Sequence, residues 1–284
     1  MALNIKLNKT IKSLGGNTTP QGVIQVTGTA IDAAKLYLSA YRDRSLIVTD
    51  TAKDCFKGDR HAWRGGLERT IELLENRVNP PKQQRDFKLD KVLGAVGSSV
   101  RRVRVNSDLD GEWEYDRRTL DLPFTMMKKT PTDQTVWIEV DFAFSASVDK
   151  EQIDEYAEFI FQIISAIENR GFTCGVKLIN RTIKLTTTGE AFESVLIVKE
   201  PGQYADKRFF RFFSTPMFRR VLFYVFHVGC KQLGLVPQYN LGIPSNTPRA
   251  TAVKGLIKLT PGTLPQGDFM GGVISLIKTA IGAA

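Results

Sequence analysis

The chain has 284 residues, with 39 Lys and Arg against 30 Asp and Glu, so it carries a formal charge of +9 and a pI near 9.4. An apolar fraction of 42% excludes disorder over most of the length, and the positive excess points toward polyanionic partners such as nucleic acid or an acidic surface. Cys55, Cys174 and Cys230 are odd in number and lack paired spacing, which argues against a disulfide framework or a zinc site and favours a reducing cytoplasm. The N-terminus lacks the apolar stretch of a signal peptide, and no run reaches the roughly 20 apolar residues of a spanning helix, so no membrane partner is expected.

In chain order, residues 1–29 read as an N-terminal arm that passes through the turn-rich Gly15-Gly16-Asn17-Thr18-Thr19-Pro20. A subdomain of helices and a small sheet is expected over 30–130. Within it, Ile31 to Tyr41 is helical in pattern, with Ile31, Ala34, Leu38 and Tyr41 on one side. Phe56 to Gly66 is a loop with Trp63 as its aromatic anchor. Leu67 to Val78 is a second helix, stopped by Asn79-Pro80-Pro81 because proline has no amide to donate. Residues 82–91 mix charges of both signs, as a solvated connector does. Ser98 to Asn106 reads as a short strand in which Arg102 and Arg104 share a face, since side chains alternate along a strand. Residues 108–116 form an acidic turn, and Lys128 and Lys129 return the chain to positive charge.

The strongest pattern begins at Thr135 and opens a βαββαβ core over 131–260. Val136, Ile138, Val140 and Phe142 alternate with Trp137, Glu139, Asp141 and Ala143, the two-residue period of a strand with one buried face. Asp149 with Gln152 forms a capping box at the start of a helix. Ile153, Tyr156, Ala157, Ile160, Ile163, Ile164 and Ile167 then make one continuous apolar stripe, and Asn169-Arg170-Gly171 closes the helix. Strands follow at Cys174 to Ile179 and Phe192 to Val198. A helix opens at Thr215-Pro216 and runs to Gly234, and Ala252 to Leu259 supplies a last strand. This order predicts an α+β fold, a ferredoxin-like (split βαβ) sandwich with an N-terminal, mostly helical elaboration. Residues 261–284 read as an apolar, glycine-rich C-terminal tail suited to a partner contact.

The main functional candidate is the run from Lys207 to Arg220. Lys207, Arg208, Arg211, Arg219 and Arg220 are interleaved there with Phe209, Phe210, Phe212, Phe213 and Phe218, and no acid intervenes. Cations neutralise phosphates and aromatic faces stack bases, the two ingredients of single-strand binding. The competing account places the phenylalanines in the core, where phenylalanine is usually found, and makes the cations a solvated face. Arg102, Arg104, Lys128 and Lys129 would extend the basic surface, as would Arg101, Arg181 and Lys184. Trp137 and Phe144 fall on opposite faces of their strand, so one of them is available to stack a base on the open side of the sheet.

Catalytic patterns are weak. His61 lies in a loop, and His227 sits in an apolar helix where a satisfied core group is the simpler account than a base. The acidic string from Asp108 to Asp116 fails the calcium-loop spacing, because its glycine is Gly111 and the twelfth position is Thr119. Gly94 to Ser99 lacks the Gly-Lys-Ser/Thr ending of a phosphate loop, and no nucleophile elbow is present. Asp141 with Ser145 and Ser147 resembles the metal-adhesion strand of von Willebrand A domains only loosely, since that pattern wants serines two and four residues after the aspartate.

Three segments together resemble a family of uncharacterised proteins of tailed bacteriophages. They are Phe56 to Glu68, the strand with Ser145-Ala146-Ser147 and its helix ending at Gly171 to Val176, and Phe213 to Phe223. In the third, Ser214-Thr215-Pro216 stands where the family pattern wants a histidine before the proline. The resemblance implies a viral protein in the host cytoplasm or the virion and supplies nothing about mechanism. The expected function is therefore non-enzymatic binding of RNA or single-stranded DNA through a basic surface of Arg102, Arg104, Lys128, Lys129, Lys207, Arg208, Arg211, Arg219 and Arg220, with no cofactor and no metal. The alternative is a virion or intracellular assembly protein that contacts itself or other phage proteins through its C-terminal tail.

Overall fold

A computed structural model describes residues 3–9, 21–58, 66–75, 102–104, 125–127, 135–144, 148–183, 186–203, 207–238, 243–244, 250–260 and 269–282. Strands β1 (Asn4–Asn8) and β2 (Val23–Thr29) are followed by helix α1 (Ala30–Arg42), two 3-10 turns at Arg44–Leu46 and Thr51–Phe56, and helix α2 (Leu67–Leu74). A separate two-stranded ribbon joins β3 (Arg102–Arg104) to β4 (Thr125–Met127). Then come β5 (Thr135–Asp141), α3 (Lys150–Glu168), β6 (Thr173–Ile183) and β7 (Ala191–Lys199). A 3-10 helix at Lys207–Phe213 leads into a wide π-helical segment, Met217–Leu222, which continues as α4 (Phe223–Leu233). The short β8 (Ile243–Pro244), the hairpin of β9 (Thr251–Val253) and β10 (Leu256–Leu259), and α5 (Phe269–Ile281) complete the chain.

The main sheet has the order β1-β2-β7-β6-β5-β10-β9, with β8 pairing on the far end of β6. The sheet is mixed: β5 pairs in parallel with both β6 and β10, and β2 with β7, while β6–β7, β1–β2 and β9–β10 are antiparallel. The fold is thus mixed α/β with a sheet larger than a four-stranded sandwich, and the ferredoxin-like arrangement is not confirmed. A split βαβ unit places another strand between the two that its helix connects. Here α3 delivers β6 directly beside β5, with Thr135 opposite Thr173 and Asp141 opposite Ile179.

Local chemistry accounts for the best-defined elements. Asp149 accepts the Gln152 backbone N–H at 2.8 Å and the Gln152 side chain accepts from the Asp149 N–H, completing the capping box at the head of α3. At its tail Gly171 adopts φ +85°, and the Arg170 guanidinium donates to the Ala166 carbonyl at 2.5 Å, where a cation complements the helix dipole. The buried Lys199 ties this helix end to the sheet, with its Nζ 2.8 Å from Glu168 and 2.5 Å from the Cys174 carbonyl.

The described residues of the N-terminal segment, 3–9 and 21–29, belong to the sheet. β2 pairs in parallel with β7 from Val23 opposite Ala191 to Thr29 opposite Ile197, and β1 then edges the sheet. Among the described residues that follow, Ala33, Tyr37, Cys55, Phe56, Ile71 and Leu74 join the same buried cluster as α3, α4 and the sheet. Ile31, expected inside, is 40% exposed, because α1 buries Ala30, Ala33, Ala34, Tyr37 and Leu38 instead. The last expected strand is a hairpin, turned at Gly255 with φ +78°. α5 does not project as a tail: Val273, Ile277, Ala280 and Ile281 are buried, and the Gly255 N–H donates to the Ala280 carbonyl at 2.9 Å.

The described helices occupy one side of the sheet. Gly229 of α4 faces Ile24 and Ile5, Phe226 meets Phe192 edge-on, and Tyr156 of α3 stacks on Phe142. α1 joins that layer through Tyr37 against Tyr224 of α4, and α5 packs beside α3. The alternate residues of the strands therefore point the other way, onto a face that carries Lys6, Glu139, Lys177, Arg181, Glu193 and Lys258.

Candidate nucleic-acid interface

The run from Lys207 to Arg220 turns its described arginines inward. Phe212 and Phe213 are wholly buried, and Phe213 and Phe218 pack with Phe142 in an aromatic cluster that also holds Phe144 and Tyr156. Arg220 is 0% exposed, and its Nη1 donates to the carbonyls of Cys55 and Lys57 at 2.8 and 3.0 Å. These carbonyls end the 3-10 helix at Thr51–Phe56, where helix-end acceptors need donors and a cation is favoured by the dipole. The Tyr37 hydroxyl donates to the same Cys55 carbonyl at 2.7 Å, and burial raises its pKa far above the ordinary tyrosine value despite the neighbouring Arg220. Arg219 is buried and donates to the Val148 carbonyl at 2.6 Å. Arg211 is half-buried, donates to the Leu74 carbonyl at 3.2 Å at the end of α2, and lies over the Phe212 ring.

These three arginines thus clamp segments of the fold and do not present a joint surface. Arg102 and Arg104 are placed in β3 by their backbone, opposite Met127 and Thr125. The side chains of Arg102, Arg104, Lys207 and Arg208, and all of Lys128 and Lys129, lie outside the described residues, as do His61, Trp63, the acidic string 108–116, Arg101, Ser145, Ser147 and Lys184.

A different set of cations converges on the sheet face opposite the helices. Across four strands, Lys6 of β1 stands beside Gln25 of β2, Gln25 beside Glu193 of β7, and Glu193 beside Arg181 of β6. Arg181 donates through Nε to Glu193 at 2.7 Å, and Gln25 donates to the other Glu193 oxygen at 2.9 Å. A second row runs from Lys177 of β6 through Glu139 of β5 to Lys258 of β10, with Glu139 3.8 Å from Lys177 and 3.4 Å from Lys258. In each row two cations flank one carboxylate, so the face keeps a positive surplus after its ion pairs are formed. Lys6 and Lys258 are exposed, and Arg181 and Lys177 are half-buried.

Trp137 lies on this same face. Its partner across the β5–β6 pair is Gly175, and a Cβ there would come within 2.6 Å of the indole ring. The absent side chain lets the ring lie flat across β6, while the Lys177 ammonium stands 4.6 Å from its centroid in cation–π contact. Leu256 and the 59%-exposed Val253 continue this row outward on β10 and β9. Of the two aromatic candidates in β5 and its exit, Trp137 is therefore the one on the charged face, and Phe144 is core. Lys6, Lys177 and Lys258 were missed by the reading of basic runs, because each is an isolated lysine in its own strand. Their signal was alternation: Glu139 with Trp137, and Lys177 with Gly175, occupy the non-apolar positions of their strands.

The remaining polar groups of note are internal. His227 is buried in α4 with Nδ1 3.1 Å from the Thr49 hydroxyl and 3.3 Å from that of Thr51, and burial lowers its pKa to about 4 against a smaller upward pull from Asp54. Burial likewise pushes the Cys174 and Cys230 thiols up to about 12. Among the described residues no three His, Cys, Asp or Glu side chains are grouped to hold a metal ion, and no helix is long and apolar enough to cross a membrane.

No curated protein and no solved structure matches this chain. A family model described as a domain of unknown function, DUF7192, matches residues 28–264, from the end of β2 to just beyond β10. With most of its length matched, the chain belongs to the DUF7192 family.

Proposed function

We propose that the protein is a non-enzymatic nucleic-acid-binding protein whose contact surface is the charged face of the sheet. The observation that carries this reading is the pair of cross-strand rows, Lys6 to Arg181 and Lys177 to Lys258, in which cations outnumber carboxylates two to one. A polyanion that displaces the ion pairs exchanges one carboxylate contact for several phosphate contacts and releases its own counterions, which favours binding at low salt. The net charge of +9 acts in the same direction at longer range. The resemblance to tailed-phage proteins makes the host cytoplasm the setting of this reading. The buried face of α5 leaves the C-terminal segment less suited to self-association than an unattached tail would be.

Fluorescence polarisation of labelled oligonucleotides with the full chain tests the proposal. Saturable binding at low salt, weakened by Lys6→Gln with Lys258→Gln, is the expected result. Absence of binding to RNA and DNA alike at low salt refutes it.

A further inference from the structure

We infer that Trp137 is a base-stacking platform, and that the ligand is consequently an unpaired strand and not a duplex. This rests on the reading of the sheet face given above and adds the class of nucleic acid. The face carries a flat ring held by design of the backbone: Gly175 supplies the only side chain small enough to leave the indole lying across β6, since even a methyl group at that position would meet the ring at 2.6 Å. The Lys177 ammonium stands 4.6 Å from the ring centroid and also 3.8 Å from Glu139.

A cation over an indole marks a π-face that a flat, electron-poor or aromatic group can occupy. When a phosphate draws Lys177 aside, a neighbouring base can take its place on the ring, and the lysine gains a stronger counter-charge than its long contact with Glu139. Arg181 lies four residues farther along β6, about 13 Å away at the usual strand rise, so the first row can meet a phosphate farther along the strand than the one that Lys177 meets. Bases inside a duplex are stacked on one another and hide their faces, whereas an unpaired strand offers them, so stacking on a protein ring selects single strands.

The test compares single-stranded RNA, single-stranded DNA and their duplexes by polarisation and by tryptophan fluorescence. Single strands are expected to bind more tightly than duplexes and to quench emission. Trp137→Leu should weaken single-strand binding about 5- to 150-fold, the range measured for loss of one stacked base, and leave duplex binding within about twofold. Trp137→Phe keeps a ring and should retain affinity within a few-fold while losing the quenching, which is read against the emission of the remaining Trp63 and Trp113. Circular dichroism melts establish that both variants are folded. Equal affinity for single strands and duplexes, with Trp137→Leu unchanged but Lys6→Gln/Lys258→Gln weakened, overturns the stacking platform and leaves the polyanion reading standing. No binding of any oligonucleotide by the parent overturns both.

Discussion

Replacing Arg220 by Met separates an internal clamp from a ligand-binding cation. The substitution keeps most of the side-chain volume and removes the guanidinium, which makes hydrogen bonds of 2.8 and 3.0 Å to the carbonyls of Cys55 and Lys57 in a fully buried setting. Hydrogen bonds with a charged partner contribute about 1.5–3 kcal/mol each, so two of them set a loss of about 3–5 kcal/mol after the methionine recovers some packing. The Cys55 carbonyl keeps the Tyr37 hydroxyl as a donor, which places the loss below the simple sum. At about 2–4 °C per kcal/mol for a protein of comparable size, the melting temperature should fall by about 10 °C. Thermal melts followed by circular dichroism read the shift, and polarisation reads oligonucleotide affinity on the variant held well below its melting point. A large fall in stability is expected, with affinity kept within a few-fold. A variant that melts within about 2 °C of the parent and loses nucleic-acid binding would refute the clamp.

Other expected outcomes follow from the buried groups. Because the folded pKa of His227, about 4, lies below the ordinary histidine value near 6.5, the unfolded chain binds the extra proton in that interval. The contribution of neutral His227 is fully present above pH 6.5 and is lost as pH falls toward 4, up to about 3 kcal/mol in all. Urea midpoints measured between pH 4 and 7 should therefore fall more steeply for the parent than for His227→Gln, and equal slopes would contradict the assignment. All three cysteines are free and buried, and burial holds Cys174 and Cys230 in the thiol form. A thiol reagent at pH 8 should label none of them before unfolding and three after it; rapid labelling of the native protein would show that the core opens. Lys199→Met leaves Glu168 without its 2.8 Å partner and should cost about 3 kcal/mol or more by denaturant titration, as breaking buried pairs does, whereas a neutral effect would argue that the pair is dispensable.

Much of the architecture was legible where the determinants are local. The capping box at Asp149 and Gln152, the isoleucine stripe and Gly171 define α3 within a single stretch of chain, and the alternation in β5 assigned its faces correctly. The pairing of β2 with β7 was not legible, because its partners are 168 residues apart, as the Gln25–Glu193 contact illustrates. Strand order escaped for a related reason: a βαβ sequence reads the same whether its strands are neighbours or interleaved.

The inward turn of Arg211, Arg219 and Arg220 was not legible because a sequence does not show that an arginine's partner is a backbone carbonyl. A signal nevertheless existed in Arg220. It stands with Met217, Val221 and Tyr224 at three- and four-residue spacings, so it belongs to the apolar stripe of its helix and not to the polar side. Conversely, the lysines of the sheet face come from separate strands, and only the register of β1, β2, β7, β6, β5 and β10 gathers them. Charge runs report on one segment, whereas a sheet face is assembled from many.

The most direct measurement of the central claim is the salt dependence of single-strand binding by the parent and by a variant with Lys6, Lys177, Arg181 and Lys258 all changed to Gln. If these four cations meet phosphates, the parent's log affinity falls with log salt at a slope of about −3, from about 0.7 per contact, and the variant's slope is close to zero with affinity reduced at every salt concentration. A folded variant that keeps the parent's slope and affinity would contradict the account, placing the binding surface elsewhere on the molecule.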